Sequence, residues 1–119
     1  MVSKYSGELY YEATSQDKLV FEMLILRDTS LSIRGYEATG CYGCWEFSCQ
    51  AQRDETQPSV FLSAPFHLMQ SGQLSDEEWQ LKLTLSGDTE YDGYLEVTGE
   101  IFNQTTRGFL EGELELISR

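Results

Sequence analysis

Apolar and polar residues alternate one for one along much of this chain. Trp79, Leu81, Leu83 and Leu85 alternate with Gln80, Lys82, Thr84 and Ser86. Trp45, Phe47, Cys49 and Ala51 alternate with Glu46, Ser48, Gln50 and Gln52, and Leu110, Leu114 and Leu116 with Glu111, Glu113 and Glu115. A period of two sends successive side chains to opposite faces, so each run predicts a strand with one dry and one wet face. That is the habit of antiparallel sheets.

Turn residues fall between these runs. Asp28-Thr29-Ser30, Gly40 to Gly43, the polar stretch Arg53 to Pro58, Asp92-Gly93 and Asn103 to Gly108 mark strand ends, and Asp-Gly tolerates the positive φ of a tight hairpin. The pattern predicts eight strands, at residues 5–13, 18–27, 31–37, 44–53, 60–70, 79–87, 93–103 and 107–117. Short connections pair sequential neighbours into a meander. Closing the meander removes its edges, so the expected fold is all-β, a single domain over residues 1–119 forming an eight-stranded up-and-down barrel. A two-sheet β-sandwich is the alternative. Ser75-Asp76-Glu77-Glu78 has the spacing of a helix capping box and predicts at most one helical turn.

Parity assigns an inward set: Tyr11, Phe21, Met23, Trp45, Phe47, Phe66, Trp79, Leu95, Val97 and Leu114. In the strand 60–70, Val60, Leu62, Ala64, Phe66 and Leu68 form the apolar side and Ser63, Pro65, His67 and Met69 the outer or rim side. Gly99 and Gly112 share the inward parity, where a missing side chain leaves space or eases a bend. A barrel of about eight strands holds either side chains or one small ligand. Trp45, Trp79, Tyr11 and Phe47 are the candidate lining for a small apolar or aromatic ligand, with Tyr5 and Tyr11 the inward polar groups.

Composition narrows the class. Forty per cent hydrophobic and 13% aromatic residues suffice to build one core without metal or disulfide, and their spread along the chain argues against disorder. The net charge of −12 leaves no basic patch, which excludes nucleic-acid binding and adhesion to an anionic membrane. A basic protein is the electrostatic complement; plain solubility is the competing explanation. The opening MVSKYSGELYY has no apolar signal region, no run is long enough to span a membrane, and the three cysteines are an odd number. A cytoplasmic protein is expected, in which the sequon at Asn103 is a chance match.

All three cysteines lie in GCYGCWEFSC, residues 40–49. Cys41 and Cys44 have the spacing of a metal knuckle, but zinc needs four ligands and only Cys49 and the lone His67 remain. Cys49 shares the inward parity of Trp45 and Phe47 while Cys44 points oppositely, so no metal site is expected. A redox pair needs its CxxC at a helix N-terminus, whereas this one feeds a strand. The reading is a turn followed by a strand, with Cys49 a small buried hydrophobe. Any histidine-based catalysis must use His67. No phosphate loop, dinucleotide fingerprint, zinc-protease helix or kinase signature occurs. No catalytic residue and no cofactor is assigned.

The acids are unevenly spread. Residues 76–119 hold eleven acids and three bases, and residues 1–75 nine acids and five bases. Glu96 and Glu100 share one parity, Glu111, Glu113 and Glu115 another, and Glu8 and Glu12 lie opposite Leu9 and Tyr11 on the first strand. Barrel closure would set these seven carboxylates on three adjacent strands. Opposed like charges cost stability in a sheet, so the wall is either a surface that meets a basic partner or a face screened by solvent and salt.

With this strand count and these lengths, the chain resembles the calycins, the lipocalin, avidin and fatty-acid-binding barrels. Gly43-Cys44-Trp45 matches their Gly-x-Trp motif. The family carries that motif on the first strand and this chain carries it mid-chain, so the resemblance implies an architecture and transfers no binding residue. The stretch from Ile33-Arg34-Gly35 to Trp45-Glu46-Phe47 is also similar to bacterial meander-barrel proteins, which again implies a fold alone. The expected function is non-enzymatic: an acidic protein that engages a basic protein partner through its carboxylate wall, as an inhibitor, immunity protein or anti-defence factor would. A small-ligand barrel is the alternative.

Overall fold

The computed structural model describes residues 2–11, 17–37, 45–70, 72–87 and 93–118, and of Asp17 and Trp45 the backbone only. Nine strands make up the described chain: β1 (Ser3–Tyr11), β2 (Asp17–Ile25), β3 (Leu31–Glu37), β4 (Trp45–Arg53), β5 (Val60–Ser63), β6 (Phe66–Gln70), β7 (Gln73–Ser86), β8 (Tyr94–Phe102) and β9 (Arg107–Ser118). All pairings are antiparallel, and β9 returns to pair with β1. β5 and β6 both lie between β4 and β7. The nine strands therefore fill eight positions around a closed barrel, and the described residues contain no helix. The expected class, topology and closure are present; a sandwich is not.

The strand expected at 60–70 is broken at Ala64-Pro65. Proline has no N–H to give to a ladder, and the two residues between Ser63 and Phe66 shift the phase by one. A one-residue slip sends side chains to the other face. Phe61 and Ser63 are consequently buried while Leu62 is exposed, the reverse of the assignment from parity; beyond the break Phe66 is buried and Leu68 packs on the core as expected. Val60 is also buried, outside the main cluster. Ser63 keeps its hydroxyl satisfied inside, accepting a hydrogen bond from Leu81 N at 2.8 Å.

The helical turn expected at Ser75 does not form. β7 starts at Gln73, and Ser75 to Glu77 make a wide bulge between the pairs Met69↔Leu74 and His67↔Glu78. The hydroxyl that would cap a helix instead accepts from Glu77 N at 3.2 Å, and Ser75 O meets His67 Nδ1 at 2.8 Å. This part of β7 extends past β8, whose last pair is Gln80↔Phe102. Its bulge and its acids Asp76, Glu77 and Glu78 are the devices that keep a bare edge from pairing with another chain.

The other turns behave as their residues dictate. Asp28 Oδ1 accepts from Ser30 Oγ at 2.6 Å and Ser30 N at 3.0 Å, holding Thr29 at a φ of 67°. Asp54 Oδ1 accepts from Thr56 N and Thr56 Oγ1 at 2.8 Å. Asn103 Oδ1 accepts from Thr106 N at 2.7 Å and Thr105 N at 2.9 Å, closing the β8–β9 hairpin. Gly93 has the positive φ expected of its hairpin, 69°; Asp92 lies outside the described residues.

The interior is filled. Tyr5, Leu9, Phe21, Met23, Phe47, Phe66, Leu83, Val97 and Leu114 belong to one buried cluster. Glycines at inward parity do not open it. Leu9 stands opposite Gly112, and a Cβ added there would lie 2.8 Å from Leu9 Cδ2 and 2.7 Å from Glu8 O. At Gly99 the same addition would meet Leu83 Cδ2 at 2.9 Å and run into Lys82 O. A large side chain fills the volume each glycine gives up, the small-against-large packing that brings a core to crystal-like density.

Candidate functional site

The outer wall of β1, β9 and β8 is assembled by register. Glu8 stands directly opposite Glu113, and Glu113 opposite Glu96, so three carboxylates form one row across three strands. Glu111 and Glu115 flank Glu113 on β9, facing Thr98 and Tyr94 on β8 and Tyr10 and Ser6 on β1. Opposed residues in a sheet lie about 4.5–5.5 Å apart, so these charges repel at close range.

Two acids of the expected set are already neutralised. Glu100 is half-buried and pairs with Arg107 at 3.5 Å, and Glu8 pairs with Lys18 at 3.6 Å. Glu96, Glu111, Glu113 and Glu115 are exposed, and no base among the described residues pairs with them. Glu12 lies outside the described residues. The structure thus brings six of the seven expected carboxylates to one wall and leaves four of them open.

The same wall carries side chains that alternation did not single out. Tyr10, Tyr94, Phe109 and Ile117 all point outward there, 57%, 45%, 53% and 54% exposed. Large apolar groups among unpaired charges are the makings of an interaction surface. Their signal in the sequence is an apolar residue at polar parity: Tyr10 beside Leu9, Phe109 beside Leu110. A shallow cleft of about 380 Å³ on this side of the barrel is bounded by Lys82, Thr98, Glu100, Phe109 and Glu111.

Of the expected ligand residues, Phe47 and Trp79 both neighbour Phe66, whereas Tyr11 lies on another strand against Gly108. Tyr11, Phe47 and Trp79, with the backbone of Trp45, lie in the half of the barrel that ends in the Asn103 turn. Phe47 stacks on Phe66 with ring centroids 5.0 Å apart, and the Tyr11 ring covers Gly108. Tyr11 and Trp79 are partly buried against the core. Trp79 Nε1 is buried and has no hydrogen-bond partner among the described residues. A larger cleft of about 570 Å³ lies outside, bounded by Pro65, Glu77, Glu78, Gln80 and residues 102–105.

The remaining candidates carry no assembled chemistry. Burial pushes the Cys49 thiol up to about 12, against a smaller opposing hydrogen bond with Ser63, so it is not a ready nucleophile. His67 is half-buried, with Nδ1 on the Ser75 carbonyl. Cys41 and Cys44 lie outside the described residues, and no group of metal-ligating side chains assembles among the described ones. No described helix is long and apolar enough to cross a membrane. No family model, no curated protein and no solved structure matches this chain.

Proposed function

We propose that this protein is a non-enzymatic binding protein that engages a basic protein partner through the outer wall of β8, β9 and β1. The observation that carries the reading is the row Glu8–Glu113–Glu96 with Glu111 and Glu115 beside it, four of the five acids having no counter-charge among the described residues. Intrinsic repulsion within the wall is relieved when a cationic surface arrives, so the wall favours the complex and speeds encounter. Exposed Tyr10, Tyr94 and Phe109 supply the apolar contact that charge alone lacks. Occlusion of the partner's working surface is the mechanism this arrangement fits, as in an inhibitor or immunity protein. The closed barrel, compatible with a calycin architecture, serves as the rigid support.

The test is capture from host extract at low salt, wild type beside the Glu111→Lys, Glu113→Lys, Glu115→Lys triple variant. All three side chains are exposed, so the variant should fold. The expected result is a basic protein held by the wild type, released by salt and not held by the variant. Equal retention by both removes the wall from the explanation. A second reading, a small ligand near Trp79, rests on its buried Nε1, which has no hydrogen-bond partner among the described residues; a bound molecule in native mass spectrometry would favour it.

A further inference from the structure

Three places on the outer surface of the barrel show how this chain itself holds a cation. Lys18 stands across the ladder from Tyr10, 5.6 Å from the ring centroid, and pairs with Glu8, two residues from Tyr10. Arg107 stands across from Phe102 at 5.5 Å and pairs with Glu100, two residues from Phe102. Arg34 lies 5.1 Å from the Tyr36 ring and reaches Glu46, opposite Tyr36, at 3.4 Å, and Glu22 at 3.9 Å. Each unit is an aromatic ring, a carboxylate and a base on adjacent strands. Ring face and carboxylate attract the same cation.

A fourth unit has the ring and the carboxylates without the base. Tyr94 is flanked by Glu96 two residues along β8, and across the ladder stand Glu115 and Glu113. Glu115 occupies, opposite Tyr94, the position that Lys18 holds opposite Tyr10 and Arg107 holds opposite Phe102. Tyr94 is 45% exposed, and among the described residues no base lies over its ring or pairs with the three acids. We infer that the partner supplies this missing cation: an arginine side chain from a basic segment stacks on Tyr94 between Glu96, Glu113 and Glu115. Arginine fits better than lysine because its planar guanidinium both stacks on a ring and forks to carboxylates. The inference deepens the basic-partner reading and rests on it.

The test uses an acetylated, amidated hexa-arginine peptide at low salt, with hexa-lysine as its charge-matched control. Binding is read by fluorescence anisotropy and by backbone amide shifts in two-dimensional NMR. Amide shifts should centre on Tyr94, Glu96, Glu113 and Glu115. Tyr94→Ser should weaken hexa-arginine about fivefold, within the range of an exposed cation–aromatic contact, and Tyr94→Phe should restore it. Hexa-lysine should bind more weakly and respond less. Hexa-arginine binding that is lost in the Glu111, Glu113, Glu115 charge reversal yet unchanged in Tyr94→Ser overturns this inference and leaves the acidic wall standing. Binding unaffected by the reversal, or no binding by the wild type, overturns both.

Discussion

Cys49 shows how far one side chain's behaviour depends on what surrounds it. Its thiol is inert for a physical reason: the thiolate would lose solvation inside the barrel, which lifts the folded value to about 12 from an ordinary 9.0. The unfolded chain releases this proton first. The contribution to stability is therefore complete below about pH 9 and is lost as pH rises towards about 12. Denaturant unfolding of wild type and Cys49→Ala over that window should show the wild type's advantage shrinking; a constant difference would mean the thiol is not desolvated. Inward parity made Cys49 legible as a small hydrophobe facing the core, against which it packs half-buried. Its hydrogen bond with Ser63 was not legible, because the break at Pro65 is what turns Ser63 inward.

Local chemistry decides the turns, and it does so most clearly at Asn103. One side-chain oxygen accepts from two backbone N–H groups and the Thr105 hydroxyl, while Nδ2 donates to Glu77 Oε2 at 3.2 Å. Asn103→Ala should cost about 1–2 kcal/mol, the range of comparable side-chain caps, and Asn103→Asp should recover only part of it, keeping the acceptor but setting a second carboxylate against Glu77. Chemical denaturation midpoints check this; an unchanged midpoint for Asn103→Ala would show the hairpin is held by its strands alone. The same local preferences misled at Ser75. A serine followed three residues later by a glutamate satisfies a helix cap, but its hydroxyl also closes a bulge. Tertiary pairing with β6 chose the bulge, since a helix there would break the pairs His67↔Glu78 and Met69↔Leu74.

Across the whole molecule, closure has an electrostatic consequence. Pairing β9 with both β1 and β8 forces Glu113 between Glu8 and Glu96. Glu113→Gln should stabilise the free protein by about 0.2–1 kcal/mol, the scale of a cross-strand pair, and make it less dependent on salt. Thermal unfolding at low and high salt reads both effects, and a lower melting temperature in the variant would refute the repulsion. Under the proposed basic-partner function the same change should also weaken binding, the usual trade between a stable fold and a working site.

Alternation alone specified the strand class, seven of the eight strand positions as continuous strands, and which acids face out, because a period of two is a local property of the backbone. It also specified most of the core, since burying one face is the only way such strands gain stability in water. What it left open is everything that depends on which residue stands opposite which. The glycines read as space until Leu9 and Leu83 were set against them. Leu62 read as core until the proline break inverted its face. The row Glu8–Glu113–Glu96, with the ring of Tyr94 beside it, exists only in the register between strands distant in sequence. Register is decided by the packing of the closed barrel as a whole, and no single strand carries it.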